Sequence, residues 1–78
     1  MRYAVIYHKT RSGYSAEAPD VPGCIAAAKT LRETQKLMRE AISLHLELTK
    51  EMGEKLPRPE TETNYVRVRK PELRARAR

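Results

Sequence analysis

A chain of 78 residues, 40% hydrophobic and with a formal net charge of +6, has room for one domain with a thin core. A chain of this size buries only about 60% of the surface that it exposes when unfolded. The hydrophobic share is too high for a disordered chain with so little charge per residue, and no apolar run approaches the ~18 residues needed to span a bilayer.

No basic stretch leads into an apolar segment at the N-terminus, so the sequence reads as that of a soluble, cytoplasmic protein that needs no membrane. The single cysteine, Cys24, excludes an internal disulfide. No Cys/His cluster surrounds it, so neither a metal nor another cofactor is expected. The charge is unevenly placed. From Tyr65 onward stand Arg67, Arg69, Lys70, Arg74, Arg76 and Arg78 against the one acid Glu72, so the body is nearly neutral and the end is basic.

Residues 2–8, Arg-Tyr-Ala-Val-Ile-Tyr-His, are rich in strand formers and apolar on both alternating faces. A polar turn through Gly13 leads to a second alternating stretch at 14–18, and the two make a hairpin. Pro19-Asp20-Val21-Pro22-Gly23 then breaks the pattern. Two prolines remove backbone donors and the glycine permits a positive φ, which predicts a rigid corner ending at Cys24. Residues 24–29 include three alanines and would be helical on propensity alone. A strong helix start follows immediately, so a third strand is the better assignment.

That start is Thr30-Leu31-Arg32-Glu33, a capping box. The Thr30 hydroxyl accepts the Glu33 amide while the Glu33 carboxylate reaches back to the amide of Thr30. The helix is expected to run to Met52, with Gly53 as its left-handed stop. At 100° per residue, Leu31, Leu37, Met38, Ala41, Ile42, Leu44, Leu46, Leu48 and Met52 fall on one broad arc, opposite a charged one. Leu56-Pro57-Arg58-Pro59 cannot continue a helix. Residues 61–70, centred on Tyr65, Val66 and Val68, predict a fourth strand.

The expected fold is therefore α+β, in the order β-β-β-α-β. A mostly antiparallel sheet of spatial order 3-2-1-4 is covered on one face by the long helix. Residues 1–70 form the domain and 71–78 a basic flexible tail. A 22-residue helix is about 33 Å long, against about 23 Å for a seven-residue strand. The end carrying Leu44, Leu48 and Met52 should overhang the sheet and serve as an oligomer or partner contact, in a homodimer or a dimer of dimers.

The stretch Tyr14-Ser-Ala-Glu-Ala-Pro-Asp-Val-Pro-Gly-Cys24, followed by Thr30-Leu-Arg-Glu-Thr, Glu40-Ala-Ile and Gly53-Glu-x-x-Pro57-x-Pro59, resembles the HicB antitoxin family over residues 2–68. The resemblance implies a truncated ribonuclease-H-like fold that sequesters a small HicA-type toxin, an enzyme that cleaves messenger RNA. Three features depart from the family pattern. The hairpin turn carries Lys9 and Arg11 where the family is usually acidic. Ala28-Lys29 stands in place of a Gly-Asp step. Only the basic tail follows the fourth strand, so no folded DNA-binding module is expected.

The candidate residues divide into few chemical roles. Two-metal nuclease chemistry needs several converging carboxylates. The one aspartate, Asp20, sits in the proline corner and is expected to accept nearby backbone amides, so an enzyme is not expected. Cys24 reads as a small buried hydrophobe within the corner formed with Pro19, Asp20, Pro22 and Gly23. His45, near the centre of the apolar arc, reads as a core histidine. The arginine-rich end is either a solvated tail or a contact for nucleic-acid phosphates. Two functions stand: toxin sequestration by the body, or nucleic-acid association through the tail.

Overall fold

The computed structural model describes residues 1–71. β1 (Ile6–Lys9), β2 (Tyr14–Glu17) and β3 (Ile25–Ala28) form an antiparallel sheet in that order, followed by one long helix, α1 (Leu31–Glu51). The registers Tyr7↔Ala16↔Ala26 and Ile6↔Glu17↔Ile25 separate the two sheet faces. Tyr7, Ala16 and Ala26 turn toward the helix; Ile6, His8, Ser15, Glu17, Ile25 and Ala27 form the outer face. α1 lies chiefly over β2 and β3. The alanine side chains of these strands are short enough to let the helix approach closely.

The core is small: Ala16, Ala18, Val21, Cys24 and Met38, with Tyr3, Val5, Tyr7, Ala26 and Ile42 packed against it. The corner contributes two of those residues. Val21 N–H donates to the Ala18 carbonyl at 3.0 Å and Cys24 N–H to the Val21 carbonyl at 3.1 Å. Two successive tight turns thus push Val21 completely inside. Gly23, at φ 88°, supplies the left-handed residue that this path requires. Buried Thr34 keeps its polar group satisfied, because its hydroxyl donates to the Thr30 carbonyl at 2.8 Å.

Both helix ends are capped. Thr30 has extended dihedrals and its hydroxyl oxygen accepts the Glu33 amide at 3.1 Å. The Glu33 carboxylate takes the Thr30 hydroxyl proton at 3.1 Å rather than reaching the Thr30 amide, so only half of the expected box forms. At the other end Gly53 N–H donates to Lys50 and Glu54 N–H to Thr49, each at 3.0 Å, with Gly53 at φ 76°. This is the Schellman arrangement, and it stops α1 one residue short of the expected Met52.

The sheet of the described residues has three strands, so the spatial order 3-2-1-4 is not formed. Residues 61–70 carry strand-forming residues but join no ladder: Thr61 is held by Asp20, and Glu62 and Thr63 lie beside residues 1–5 without pairing with them. Tyr65 is fully exposed and Val66 and Val68 are 74% and 75% exposed, and without a neighbouring strand an extended segment has no ladder to join. For the same reason β1 begins at Ile6 and not at Arg2: the residues before it have no partner strand. Arg67, Arg69 and Lys70 are exposed, whereas Arg74, Arg76 and Arg78 lie outside the described residues.

Candidate partner-binding surfaces

α1 presents two apolar stripes rather than one arc. Thr34, Met38, Ala41, Ile42, His45, Leu46 and Thr49 are buried or half-buried against the sheet. Leu37, Leu44 and Leu48 are 41%, 56% and 48% exposed. Leu37, Ala41, Leu44 and Leu48 follow one another at spacings of four, three and four residues, the interval that keeps side chains on one seam of a helix. Met52, at 70% exposure, closes the row at the C-cap. Alongside the leucines runs a ridge of exposed glutamates, Glu33, Glu40 and Glu47 at seven-residue intervals, joined by Glu51. Among the described residues none of the four enters an ion pair; the one carboxylate contact of that kind is a hydrogen bond between His8 and Glu17 at 3.4 Å on the outer sheet face. An apolar row with an unpaired acidic border suits an apolar partner surface with a basic rim.

A second opening lies on the flank of the core. Between β1 and α1 runs a groove of about 590 Å³, lined by Tyr3, Val5, Tyr7, Met38, Ile42 and Leu46, with Arg2 and Arg39 at its mouth. The side of β1 that faces away from β2 borders it, and the backbone groups there are free of any ladder partner among the described residues. Burial in this region pushes the Tyr7 phenol above its ordinary pKa, and the nearby Arg39 charge opposes that shift. A further depression of about 370 Å³ lies on the outer face beside His8, Glu17 and Ile25, and one of about 770 Å³ lies between residues 1–5 and Pro59, Thr61, Glu62 and Thr63.

The corner residues fasten the connector that follows the helix. The Asp20 carboxylate accepts the amides of Glu60 and Thr61, at 2.9 and 2.7 Å, and the Thr61 hydroxyl at 2.7 Å. Instead of its own neighbours in the turn, which the sequence suggests, Asp20 thus bonds residues some forty positions away. The two Thr61 contacts hold the carboxyl below its ordinary pKa against the opposing effect of burial, with the Glu60 amide contributing least. Tyr3 adds a second clasp, its hydroxyl donating to the Pro57 carbonyl at 2.6 Å. Pro19, Pro22 and Gly23 are exposed and shape the corner.

The remaining candidates carry no assembled chemistry. Cys24 is buried, its thiol directed at the Ala41 carbonyl at 3.7 Å, and burial raises its pKa. That environment disfavours the thiolate needed by a nucleophile. His45 is half-buried, not a core residue, and among the described residues its imidazole makes no hydrogen bond; its carbonyl accepts the Thr49 hydroxyl at 2.7 Å. Among the described residues no three His, Cys, Asp or Glu side chains gather closely enough to hold a metal ion, and no helix is long and apolar enough to cross a membrane. Sequence reasoning missed the β1 groove and the Asp20 clasp. It also merged Leu37 and the glutamate ridge into a helix with two uniform faces, although the seven-residue spacing of Glu33, Glu40 and Glu47 was a readable signal.

These elements define a small α+β domain. Residues 3–75 match the family model described as the HicB-like antitoxin of bacterial toxin-antitoxin systems, and the chain belongs to that family. It is 39% identical over 66 residues to an uncharacterised 14.9 kDa protein from the rep-hol intergenic region of Haemophilus phage HP1, covering 85% of this chain and 50% of the phage protein. The chain thus spans half the length of that relative. A UPF0150 protein of Archaeoglobus fulgidus is 39% identical over 51 residues, covering 64% of this chain and 74% of the relative. Among solved structures, a chain of a HicA3 and HicB3 toxin-antitoxin complex superposes with a TM-score of 0.64 and 32% identity, over 77% of this chain and 70% of that one.

Proposed function

We propose that this protein is an antitoxin that binds a small HicA-type, messenger-RNA-cleaving toxin in the cytoplasm and neutralises it by direct contact. The role is one of binding and not of catalysis. The observation that carries this reading is the exposed Leu37–Leu44–Leu48 row beside the unpaired ridge of Glu33, Glu40, Glu47 and Glu51. An enzyme that cleaves RNA needs a basic surface to hold phosphates. An acidic border around an apolar row is complementary to such a surface and competes with RNA for it. Family membership, and the likeness to a chain of a toxin–antitoxin complex, supply the partner class.

In this reading the fold is the truncated ribonuclease-H-like one of the family. Residues 61–70 supply a fourth strand along an open β1 edge, which completes the order 3-2-1-4. Residues 1–70 act as the binding domain and 71–78 as a basic tail. Leu44, Leu48 and Met52 lie at the toxin contact.

The test is co-purification and growth rescue with a HicA-type toxin from the same genome. Wild-type chain should co-purify with the toxin and relieve its growth arrest. The double variant Leu44→Asp/Leu48→Asp should lose both effects while keeping the helical circular dichroism of the wild type. Failure of the wild-type chain to bind or rescue removes the antitoxin reading. A double variant that binds as well as wild type moves the contact off α1.

A second reading rests on Arg67, Arg69 and Lys70, which are exposed with no ion-pair partner among the described residues. With the arginines of the tail they would contact nucleic-acid phosphates.

A further inference from the structure

Two features of the chain fit one another and form no ladder with each other among the described residues. The first is the segment 61–70. Its side chains beyond Thr61 are exposed, and from residue 62 to 71 no backbone group makes a hydrogen bond among the described residues. Ten consecutive residues free of glycine and proline, with Tyr65, Val66 and Val68 in solvent, have strand propensity without a ladder. The second feature is the free edge of β1 together with the groove beneath it, about 590 Å³ in volume and lined by Tyr3, Val5 and Tyr7 from the strand side. A strand added to that edge would satisfy the unpaired β1 backbone. It would also set alternate side chains into the groove. Val66 and Val68 have the two-residue spacing that places both on one face.

The root of the arm is fixed beside its own chain, where Pro59, Thr61, Glu62 and Thr63 border a depression with residues 1–5. Asp20 holds Glu60 and Thr61 by three hydrogen bonds, and Tyr3 holds Pro57. Pro57 and Pro59 stiffen the chain between these clasps. Beyond them the arm projects outward: the protein is 62 Å in its longest dimension, twice the length of about 31 Å expected for a 21-residue helix. A rigid hinge carrying an extended strand, next to a vacant strand position, is the arrangement that strand exchange exploits.

We propose that residues 61–70 of one copy pair with the open β1 edge of a second copy and that the exchange is reciprocal, forming a dimer in which each arm closes the other's core. The occupant is a second copy because the vacancy and the strand that fits it occur on every chain. A reciprocal contact uses both and closes at two subunits. It also removes the exposed edge that would otherwise template open-ended association. This inference concerns assembly and stands whether or not the toxin reading holds.

The test combines sedimentation equilibrium with isotope-filtered NMR on the full chain. Wild-type protein should be a dimer at micromolar concentration. In a sample mixed from isotopically labelled and unlabelled chains, cross-chain NOEs should connect the methyls of Val66 and Val68 with the rings of Tyr3 and Tyr7. The variant Val66→Asp/Val68→Asp should sediment as a monomer and keep its helical circular dichroism. A monomeric wild type overturns the proposal. So does a double variant that remains dimeric, and so do NOEs between these residues that arise within one chain only.

Discussion

The Asp20 carboxylate receives both the amide and the hydroxyl of Thr61, at 2.7 Å each, across a separation of 41 residues. The corner between β2 and β3 is thereby tied to the segment that follows α1. This single side chain fixes where the arm leaves the body. Asp20→Ala removes both acceptor oxygens, so the Glu60 and Thr61 amides and the Thr61 hydroxyl lose their shared partner. The expected result is loss of hydrogen-exchange protection at the Glu60 and Thr61 amides, with α1 protection unchanged. Equal protection in the variant would show that the arm's root is held by other groups.

The same carboxylate predicts a pH dependence with a definite sign. The folded pKa of Asp20 lies below its ordinary value of 3.8. The stabilisation is therefore fully present above that ordinary value and is lost as the pH falls through the lower, folded one. The Thr61 amide proton shift, followed by NMR, should titrate with a midpoint below 3.8. A midpoint at or above the ordinary carboxylate value would mean that the carboxylate is not the acceptor.

The helix caps give a stability prediction. Thr30→Ala removes the acceptor for the Glu33 amide and should cost about 1 kcal/mol. Gly53→Val places a β-branched side chain at φ 76° and should cost at least about 1–2 kcal/mol, the penalty for left-handed backbone in an L-residue. Urea midpoints at unchanged m-value would measure both. Two variants that unfold like wild type would mean that these ends are not held by the hydrogen bonds seen.

The helix was legible because three independent signals agreed on it: the period of its apolar residues, Thr30 before it and Gly53 after it. The first strand was legible from its strand-forming residues, the second from alternation, and the third from the helix start that follows it. The fourth was not, because propensity at Tyr65, Val66 and Val68 states what a segment can do, and pairing needs an edge that local sequence does not locate. The apolar arc was drawn too broadly for a related reason. A three-stranded sheet with α1 set over β2 and β3 covers one stripe and leaves Leu37, Leu44 and Leu48 out. The Asp20–Thr61 contact joins residues so far apart in sequence that no local pattern announces it.

Cys24 tests the corner from the inside. Its thiol is buried and its pKa is raised, so the reactive thiolate is scarce in the folded protein. A chromogenic disulfide reagent at neutral pH should label it only as the protein opens, with a rate that rises through the urea transition. Immediate stoichiometric labelling in native buffer would show that the corner does not shield it.

The last prediction separates the body from the tail. Truncation after Lys70 removes Arg74, Arg76 and Arg78 but leaves α1, the glutamate ridge and the arm's valines in place. If the leucine row binds the toxin, the truncated chain should still co-purify with it and rescue growth. Nucleic-acid affinity, in contrast, should fall, because residues 1–64 are nearly neutral. For duplex DNA the slope of log K against log salt should shrink by ~0.9 for each phosphate that the removed arginines no longer neutralise. Loss of toxin binding on truncation would move the interface from α1 to the C-terminal end. Unchanged DNA affinity with an unchanged salt slope would remove the tail from any nucleic-acid role and leave Arg67, Arg69 and Lys70 of the arm as the basic surface that remains.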